Sequence, residues 1–331
     1  MPHEEPEKPG WKHDRPPKDG LRGMGGHERF IFWKTSICYK DGNIQTAEAL
    51  KKEKPAQAAA AKFFEHEPEL LYSAASYSHH AENDHIPEII VIGASNAGKS
   101  TFLNALLGGI EIAKVSSRPG KTTTMNAYGV GPRPKIAPEL IRKGDAPPKH
   151  SLVLMDTPGY GHKSKASWGE TIVQYITHRK MLRGAVILIP AEKDSYGMDK
   201  WMLRTLAHTL TPTLVVMTKA DKCGEEWQNE CLFLSQRLEY ELGRLNSGKV
   251  KLRGYDPYKW RSGSDRTTSL YATAAGMDTT RRLGNGAGMG GVRLAILELA
   301  GYDIKGRVEQ QPETKSYTGE IVSFDDIVWK A

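Results

Sequence analysis

The sequence predicts an α/β fold with a mostly parallel central sheet and helices on both faces, preceded by a disordered N-terminal extension. One observation is a series of short, β-branched apolar runs of the kind that form buried parallel strands. They occupy residues 88–93, 151–156, 185–190, 213–219 and 269–273. A second observation is that helical patterns separate most of these runs, at residues 99–107, 166–183, 198–209, 224–244 and 291–300. Strands that alternate with helices predict βαβ units in a three-layer arrangement.

The N-terminal region has a different composition. Residues 1–28 are rich in proline, glycine and charge, which predicts a disordered segment, and neither a transit peptide nor a secretory signal is recognisable in them. The apolar patch at 29–40 is expected to be a docking strand or a buried arm, and residues 55–76 are expected to be a helix. We therefore expect a mostly disordered extension over residues 1–60, the folded domain over 61–302 and a C-terminal tail over 303–331.

Composition restricts the class of protein. The chain has 331 residues, of which 39% are hydrophobic, so it can bury a sizeable core. Its apolar stretches fall far short of the roughly 20 residues that a membrane span needs. The cysteines Cys38, Cys223 and Cys231 include no CxxC pair, so neither a disulfide framework nor a zinc site is predicted. The formal net charge of +7 suggests an acidic partner, with nucleic acid as the first candidate.

The turn between the first predicted strand and the first predicted helix carries a phosphate-binding pattern. GxxxxGK[ST] is matched by Gly93, Ala94, Ser95, Asn96, Ala97, Gly98, Lys99 and Ser100, and Thr101 follows. In this Walker A loop, backbone N–H groups surround phosphates at a helix N-terminus, the lysine reaches the β- and γ-phosphates, and the hydroxyl coordinates Mg²⁺. A chance glycine-rich turn is the alternative, and the strand before the motif and the helix after it make that reading weaker.

Other motifs follow in the order that a GTPase requires. The segment DTPG consists of Asp156, Thr157, Pro158 and Gly159 and places a carboxylate where it can hold Mg²⁺ through water, with the glycine N–H free for a γ-phosphate. The segment TKAD consists of Thr218, Lys219, Ala220 and Asp221 and supplies a carboxylate that can accept both N–H donors of guanine. The segment YAT consists of Tyr271, Ala272 and Thr273, where the Thr273 N–H is expected to meet guanine O6.

A threonine-rich segment supplies the predicted first switch. It contains Gly120, Lys121, Thr122, Thr123 and Thr124, and Thr122 is expected to give Mg²⁺ a second hydroxyl while the γ-phosphate is present. An ordinary loop threonine is the alternative. The predicted metal ligands are therefore Ser100, Thr122 and Asp156.

The residue after the DTPG glycine is Tyr160, which has no amide to orient the attacking water, so we expect slow intrinsic hydrolysis. Asn96 occupies the position that binds a monovalent cation in potassium-dependent relatives, and K⁺ is therefore a candidate cofactor besides Mg²⁺ and GTP or GDP. The alternative is an asparagine that stabilises its own loop. Lys99, Thr122 and Asn96 are the predicted catalytic residues.

These segments carry a family resemblance. The stretches GASNAGKSTFLNALLG, SSRPGKTTTMNAY, MDTPGYG, VVMTKADK and GVRLAILELAGY resemble the EngB family of ribosome-biogenesis GTPases over roughly residues 62–302. The resemblance implies a P-loop G domain that converts GTP into GDP and phosphate. The long extension and the insertions resemble the mitochondrial branch, which implies a location in the mitochondrial matrix, with the cytoplasm as the alternative, and action on the large ribosomal subunit and its RNA. We expect the chain to be a monomer.

Basic residues concentrate in two apparent insertions, near 129–150 and 244–268. Residues 244–266 contain seven Lys and Arg against two Asp. The RNA-binding candidates there are Lys249, Lys251, Arg253, Lys259, Trp260 and Arg261, whose charges and ring suit phosphates and unpaired bases. Solvated loops are the alternative for both insertions. A flexible linker is expected at 286–291, and a solvated loop around His79, His80 and His85.

Two functions remain open at this point. The first is a GTP-hydrolysing ribosome assembly factor, which the set of Lys99, Ser100, Thr122 and Asp156 favours. The second is a weakly catalytic, GTP-dependent scaffold that binds a protein or a membrane surface. A GTPase that modifies tRNA would bring a further domain, for which the sequence shows no candidate segment.

Overall fold

The computed structural model describes residues 31–32, 34–45, 47–108, 124–144, 146–160, 166–192, 197–247, 269–277, 283–304 and 308–309. The strands are β1 (Ile37–Lys40), β2 (Asn43–Ile44), β3 (Glu69–Ala74), β4 (Glu88–Gly93), β5 (Met125–Val130), β6 (Leu152–Asp156), β7 (Leu182–Pro190), β8 (Thr213–Thr218), β9 (Leu270–Ala272), β10 (Asp303–Ile304) and β11 (Val308–Glu309). The helices are α1 (Ala47–Phe64), α2 (Lys99–Leu106), α3 (Ala166–His178), α4 (Gly197–His208), α5 (Trp227–Ser247) and α6 (Met289–Leu299). Short 3₁₀ turns include Ala220–Lys222 and Gly286–Gly288.

The main sheet has the strand order β2-β1-β9-β8-β7-β4-β6-β5-β3. Its five central strands, from β9 to β6, are parallel to one another. Antiparallel pairs extend the sheet at both edges, β5 and β3 on one side and β1 and β2 on the other. β10 and β11 form a separate antiparallel pair. Since the central strands are parallel, their carboxyl ends meet at one edge, and the loops that follow them lie close together.

The central strands are buried on both faces because helices cover both. Alternate residues of β4 enter different core clusters: Ile90 and Ile92 belong to one, and Ile89 and Val91 to the other. The first cluster includes side chains from α3, α4 and α5, and the second includes side chains from α1, α2 and α6. The predicted three-layer α/β fold with a mostly parallel central sheet is therefore confirmed.

The N-terminal part of the sheet corrects the predicted domain boundary at residue 61. β1 pairs with β9 over Ile37 to Tyr39, so the apolar patch contains a docking strand. α1 carries Phe63 and Phe64 into the core and contains Pro55 in its interior. The predicted helix over 55–76 is wrong beyond Phe64, because Pro68 cannot continue a helix and β3 follows directly and pairs with β5.

The segment 286–291 is also corrected, since it is not a flexible linker. Gly288, with φ +78°, is the residue before α6, and Gly290 and Gly291 are buried in the first turn of that helix. The Ser36 hydroxyl donates to Asn285 Oδ1 at 2.6 Å and accepts from the Gly291 N–H at 2.7 Å. These hydrogen bonds attach the start of α6 to the segment before β1.

A buried ion pair lies at the amino ends of the parallel strands, at the edge of the sheet opposite to their carboxyl ends. Glu88, 1% exposed at the start of β4, accepts hydrogen bonds from Arg179 Nε at 2.8 Å and from the Tyr175 hydroxyl. The ring of His80 lies against Tyr175, with centroids 4.8 Å apart. Burial, assisted by Arg179, lowers the pKa of His80 to about 4. His80 therefore packs against the folded domain and does not lie in a solvated loop.

Within these described ranges, no helix combines the length and apolar character needed to cross a bilayer. The same ranges contain no group of three or more His, Cys, Asp or Glu side chains that could together hold a metal ion.

Candidate nucleotide-binding site

The loop between β4 and α2 has the backbone conformation of a phosphate cradle. Asn96 has φ +65° and Gly98 has φ +90°, and the helix begins at Lys99 directly after this left-handed turn. Glycine adopts such a conformation without strain, which explains its place before the helix. The free N–H groups and the dipole of the α2 N-terminus make this end of the helix favourable for an anion.

Lys99 is folded back onto the loop that precedes it. Its Nζ donates to Gly93 O at 2.9 Å and to Ala94 O at 3.0 Å. The residue is only 9% exposed, and this burial lowers the pKa of the amine to about 8. The negative charges of Asp156 and Asp199 act in the opposite direction and raise that pKa. The structure thus places a buried cationic group at the base of the cradle.

Asp156 lies at the carboxyl end of β6, beside Val91 of β4. It is 3% exposed, and burial raises the pKa of its carboxyl group to about 6, although Lys99 acts in the opposite direction. Its Oδ1 is buried and has no hydrogen-bond partner among the described residues. An unpartnered buried carboxylate oxygen and the Ser100 hydroxyl at the start of α2 form a donor set that fits a hard cation such as Mg²⁺.

The DTPG segment packs directly against the phosphate loop. The Ser95 N–H donates to Tyr160 O at 2.8 Å, and Thr157 Oγ1 donates to Val91 O at 2.9 Å. A side chain at Gly159 would place its Cβ 2.7 Å from Ser95 Cα, so only glycine allows this close approach. The two segments that are expected to face the phosphates are therefore in contact through their backbones.

Tyr160 does not direct its hydroxyl into the cradle. The residue is 3% exposed, and its hydroxyl donates to Asp199 Oδ1, 2.7 Å away, in the first turn of α4. Asp199 is fully buried. This partner was missed by sequence analysis, because 38 residues separate the two positions and no motif marks the aspartate.

The TKAD segment is attached to the same loop. Thr218 Oγ1 donates to Ala97 O at 2.7 Å, and Lys219, with φ +59°, donates from Nζ to Glu192 Oε1 at 2.8 Å. Asp221 lies in the 3₁₀ turn that follows, partly exposed, with the pKa of its carboxyl group raised by burial. Glu192 lies after β7 and was not among the predicted site residues.

The predicted role of the Thr273 N–H is wrong in this structure. That N–H donates to Met217 O at 2.8 Å, because the β8–β9 ladder continues past the end of β9. Thr273 O accepts from the Ala220 N–H at 3.1 Å, so Thr273 supports the TKAD turn. Tyr271 and Ala272 lie in the hydrophobic core, and their assignment to the guanine site stays a prediction.

The structure thus brings together three of the predicted segments, Gly93–Thr101, Asp156–Gly159 and Thr218–Asp221. Thr124 lies at the start of β5, where its hydroxyl donates to Asn126 Oδ1 at 3.1 Å. Some predicted residues lie outside the described part of the chain: Gly120, Lys121, Thr122, Thr123, Lys249, Lys251, Arg253, Lys259, Trp260 and Arg261.

Comparison with known proteins agrees with this geometry. The profile of the 50S ribosome-binding GTPase family matches residues 88–219. A protein of Streptococcus mutans described as a probable GTP-binding protein EngB is 34% identical over 182 residues, which cover 53% of this chain and 83% of the relative. The corresponding protein of Streptococcus equi subsp. equi is 36% identical over 182 residues, covering 53% of this chain and 82% of the relative.

Two solved structures are similar at lower identity. The crystal structure of a probable GTP-binding protein engB is 19% identical, with a TM-score of 0.40, over 64% of this chain and 98% of that one. A variant of Aquifex aeolicus Era bound to GDP and AlF4⁻ is 19% identical, with a TM-score of 0.44, over 70% of this chain and 60% of that one. Because the curated relatives are matched over most of their own length, this chain belongs to the EngB family and is a GTPase with a P-loop G domain.

Proposed function

We propose that this EngB-family GTPase is an assembly factor that binds ribosomal RNA and ribosomal particles in a nucleotide-dependent way, in mitochondria on the large subunit. The observation that carries the nucleotide dependence is the pair of contacts made by the phosphate loop. Ser95 is hydrogen-bonded to Tyr160, the residue directly after the DTPG segment, and Ala97 to Thr218 of the TKAD segment. A nucleotide in the loop therefore acts on both segments at once.

In this proposal the α2 N-terminus and the loop N–H groups bind the phosphates, and Lys99 supplies a positive charge to the β- and γ-phosphates. The amine already lies at the base of the cradle, 2.9 Å from Gly93 O. Asp221 accepts the two guanine donors, and the Lys219 stem lies against the base. The partly exposed position of Asp221, in a turn tied to the loop through Thr218, supports this assignment.

Mg²⁺ would be held by Ser100 and Asp156, with Thr122 as a further ligand. The unpartnered Asp156 Oδ1 supports this choice. The cation supplies charge neutralisation at the transferred phosphoryl group. Asn96, exposed and left-handed in the loop, is the proposed contact for K⁺. We expect GTP turnover that is slow in sodium and faster in potassium, and an Asn96→Ala variant that loses this difference.

A base-exchange experiment tests the nucleotide assignment. Asp221→Asn should weaken GTP binding and improve xanthosine triphosphate binding, since the amide can no longer accept from both guanine donors. Asp41→Asn, in the β1–β2 turn where φ is +53°, is the matched control and should leave both affinities unchanged. Wild-type GTP affinity in Asp221→Asn, measured by fluorescent-nucleotide titration, would show that another group selects the base.

A particle-binding experiment tests the assembly role. The full chain, loaded with a non-hydrolysable GTP analogue or with GDP, is centrifuged with purified mitochondrial large or small subunits. The proposal expects co-sedimentation with the large subunit in the analogue-bound state and release with GDP. Co-sedimentation that ignores the nucleotide would contradict the switching role, and no association with either subunit would favour the scaffold function.

The cellular assignment rests on the resemblance to the mitochondrial branch. We propose that the chain acts as a monomer in the mitochondrial matrix, and protease protection of the tagged protein in isolated organelles tests the location. Light scattering during gel filtration tests the monomer. A cytoplasmic protein that sediments with cytoplasmic particles would overturn the mitochondrial assignment and leave the GTPase unaffected.

A further inference from the structure

Helix α5 presents a narrow stripe of side chains away from the core. Its inner face carries residues such as Trp227, Cys231, Leu234 and Leu238, which are at most 4% exposed. The outer face carries Phe233, Arg237, Tyr240 and Arg244, which we call the α5 stripe. Their spacing of 4, 3 and 4 residues places them on one side of the helix, over about 16 Å of its length.

The two rings of the stripe are open to solvent. Phe233 is 43% exposed and Tyr240 is 68% exposed, which are high values for aromatic residues on an otherwise well-packed helix. They lie about 10 Å apart along the helix axis. That separation allows two different bases to stack, one on each ring.

The two arginines alternate with the rings. Arg237 Cζ lies 5.5 Å from the centroid of Phe233, and Arg244 Nη1 lies 3.8 Å from Glu241 Oε2. A guanidinium group held over one face of a ring can pair with a phosphate while the other face of the ring contacts a base.

The surroundings of the stripe carry excess positive charge. Glu241 lies beside the stripe and is engaged by Lys200 Nζ at 2.8 Å and by Arg244. Arg204 of α4 also acts on Glu241, and together these cations lower the pKa of its carboxyl group. Glu239 faces the β1–β2 turn, where its carboxylate lies beside Gly42. Glu230 lies one helical turn before Phe233, so two carboxylates, Glu230 and Glu241, lie near the stripe. The cations near it outnumber them: Lys200, Arg204, Arg237 and Arg244.

We propose that the α5 stripe binds single-stranded RNA, with bases stacked on Phe233 and Tyr240 and phosphates paired with Arg237 and Arg244. The proposal rests on the proposed function, because it names the surface through which this GTPase contacts ribosomal RNA. It is separate from the nucleotide cradle: the stripe runs along the solvent face of α5, whereas the cradle follows β4, β6 and β8.

Fluorescence anisotropy of the full chain with a labelled single-stranded RNA of 12 mixed nucleotides tests the stripe. Tyr240→Ala should bind about 5- to 100-fold more weakly with the salt dependence unchanged, since a stacked base contributes little charge. The double variant Arg237→Gln/Arg244→Gln should bind more weakly and reduce the slope of log K against log salt by about 1.4, because each phosphate contact contributes about 0.7. Tyr240→Trp should keep its affinity.

Matched controls remove similar groups elsewhere on the surface. Lys180→Gln/Arg183→Gln removes the same charge at the start of β7, and Leu70→Ala removes an apolar side chain that is 51% exposed on β3. Both control variants should retain RNA affinity. A duplex RNA of equal length should compete poorly with the labelled single strand, because its bases are not free to stack. GTP affinity should be unchanged in every variant, which checks that the fold is intact.

The outcomes separate the stripe from the proposed function. If wild-type protein binds the RNA and both stripe variants bind equally well with the same salt slope, the stripe is not the RNA surface and RNA binding belongs elsewhere. If wild-type protein does not bind the RNA at all, RNA contact and the stripe both fail. If the variants keep RNA affinity but lose co-sedimentation with large subunits, the stripe contacts a protein, and its assignment to RNA is wrong.

Discussion

The hydrogen bond between Tyr160 and Asp199 gives a quantitative prediction about the residue that follows the DTPG segment. Tyr160→Phe removes one hydroxyl and leaves the ring in place. Donor and acceptor are both buried, at 3% and 0% exposure, and 2.7 Å separates their oxygens. A buried bond to an acidic side chain contributes about 1.5–3 kcal/mol, so we expect the free energy of unfolding to fall by that amount.

Urea unfolding followed by tryptophan fluorescence measures this loss. Asp199→Asn and the double variant complete a cycle, and the coupling between the two positions should be about 1–2 kcal/mol, because each single change breaks the same bond. Tyr240→Phe is the control for loss of a tyrosine hydroxyl at an exposed site, and it should change stability by less than about 0.5 kcal/mol.

GTP turnover separates a positioning role from a catalytic one. Since the hydroxyl points to α4 and not into the cradle, Tyr160→Phe should retain turnover within about threefold, whereas a lost general acid or base would cost about 100-fold or more. A Tyr160→Phe variant as stable as the wild type would contradict this prediction. A collapse of turnover with stability kept would contradict it as well.

Three further predictions concern buried groups. Arg293, 1% exposed, donates to Leu106 O at 3.0 Å and Ala105 O at 2.7 Å at the end of α2, so Arg293→Met should cost about 3–5 kcal/mol in urea unfolding and Arg293→Lys should recover only part of it. His80 has its pKa lowered to about 4, so the unfolded chain binds more protons between pH 4 and 6.5. Stability should therefore fall as the pH is lowered through that window, by about 1–2 kcal/mol after solvent screening, and His80→Phe should flatten the profile. Burial raises the pKa of Cys38 to about 11, so iodoacetamide at pH 8 should label the partly exposed Cys223 first, and early modification of Cys38 would show that β1 opens.

Local sequence was sufficient for the centre of the sheet. The apolar run at 88–93 and the glycine before Lys99 specify β4, the left-handed turn at Gly98 and the start of α2 within a few residues of one another. These features depend on residues that are adjacent in the chain, so the sequence pattern predicts them directly. The sequence does not distinguish a docking strand from a buried arm at β1, because its partner β9 lies more than 200 residues away and no local signal encodes that pairing.

Site residues were harder to assign than site segments, and the reason is visible at the ends of the strands. Spacing along the chain determines which loops follow parallel strands and therefore which segments meet at one edge. It does not determine whether a given N–H at that edge is free or still used by the sheet. Thr273 shows the difference: its N–H remains in the ladder, bonded to Met217 O at 2.8 Å, because β9 continues to pair with β8 beyond its last assigned residue. Lys219 shows it again, since its Nζ meets Glu192, a residue from the loop after β7 that no motif connects to TKAD. A motif therefore identifies the segment that reaches the nucleotide, whereas the partners of each backbone and side-chain group decide which atoms of that segment remain available to bind it.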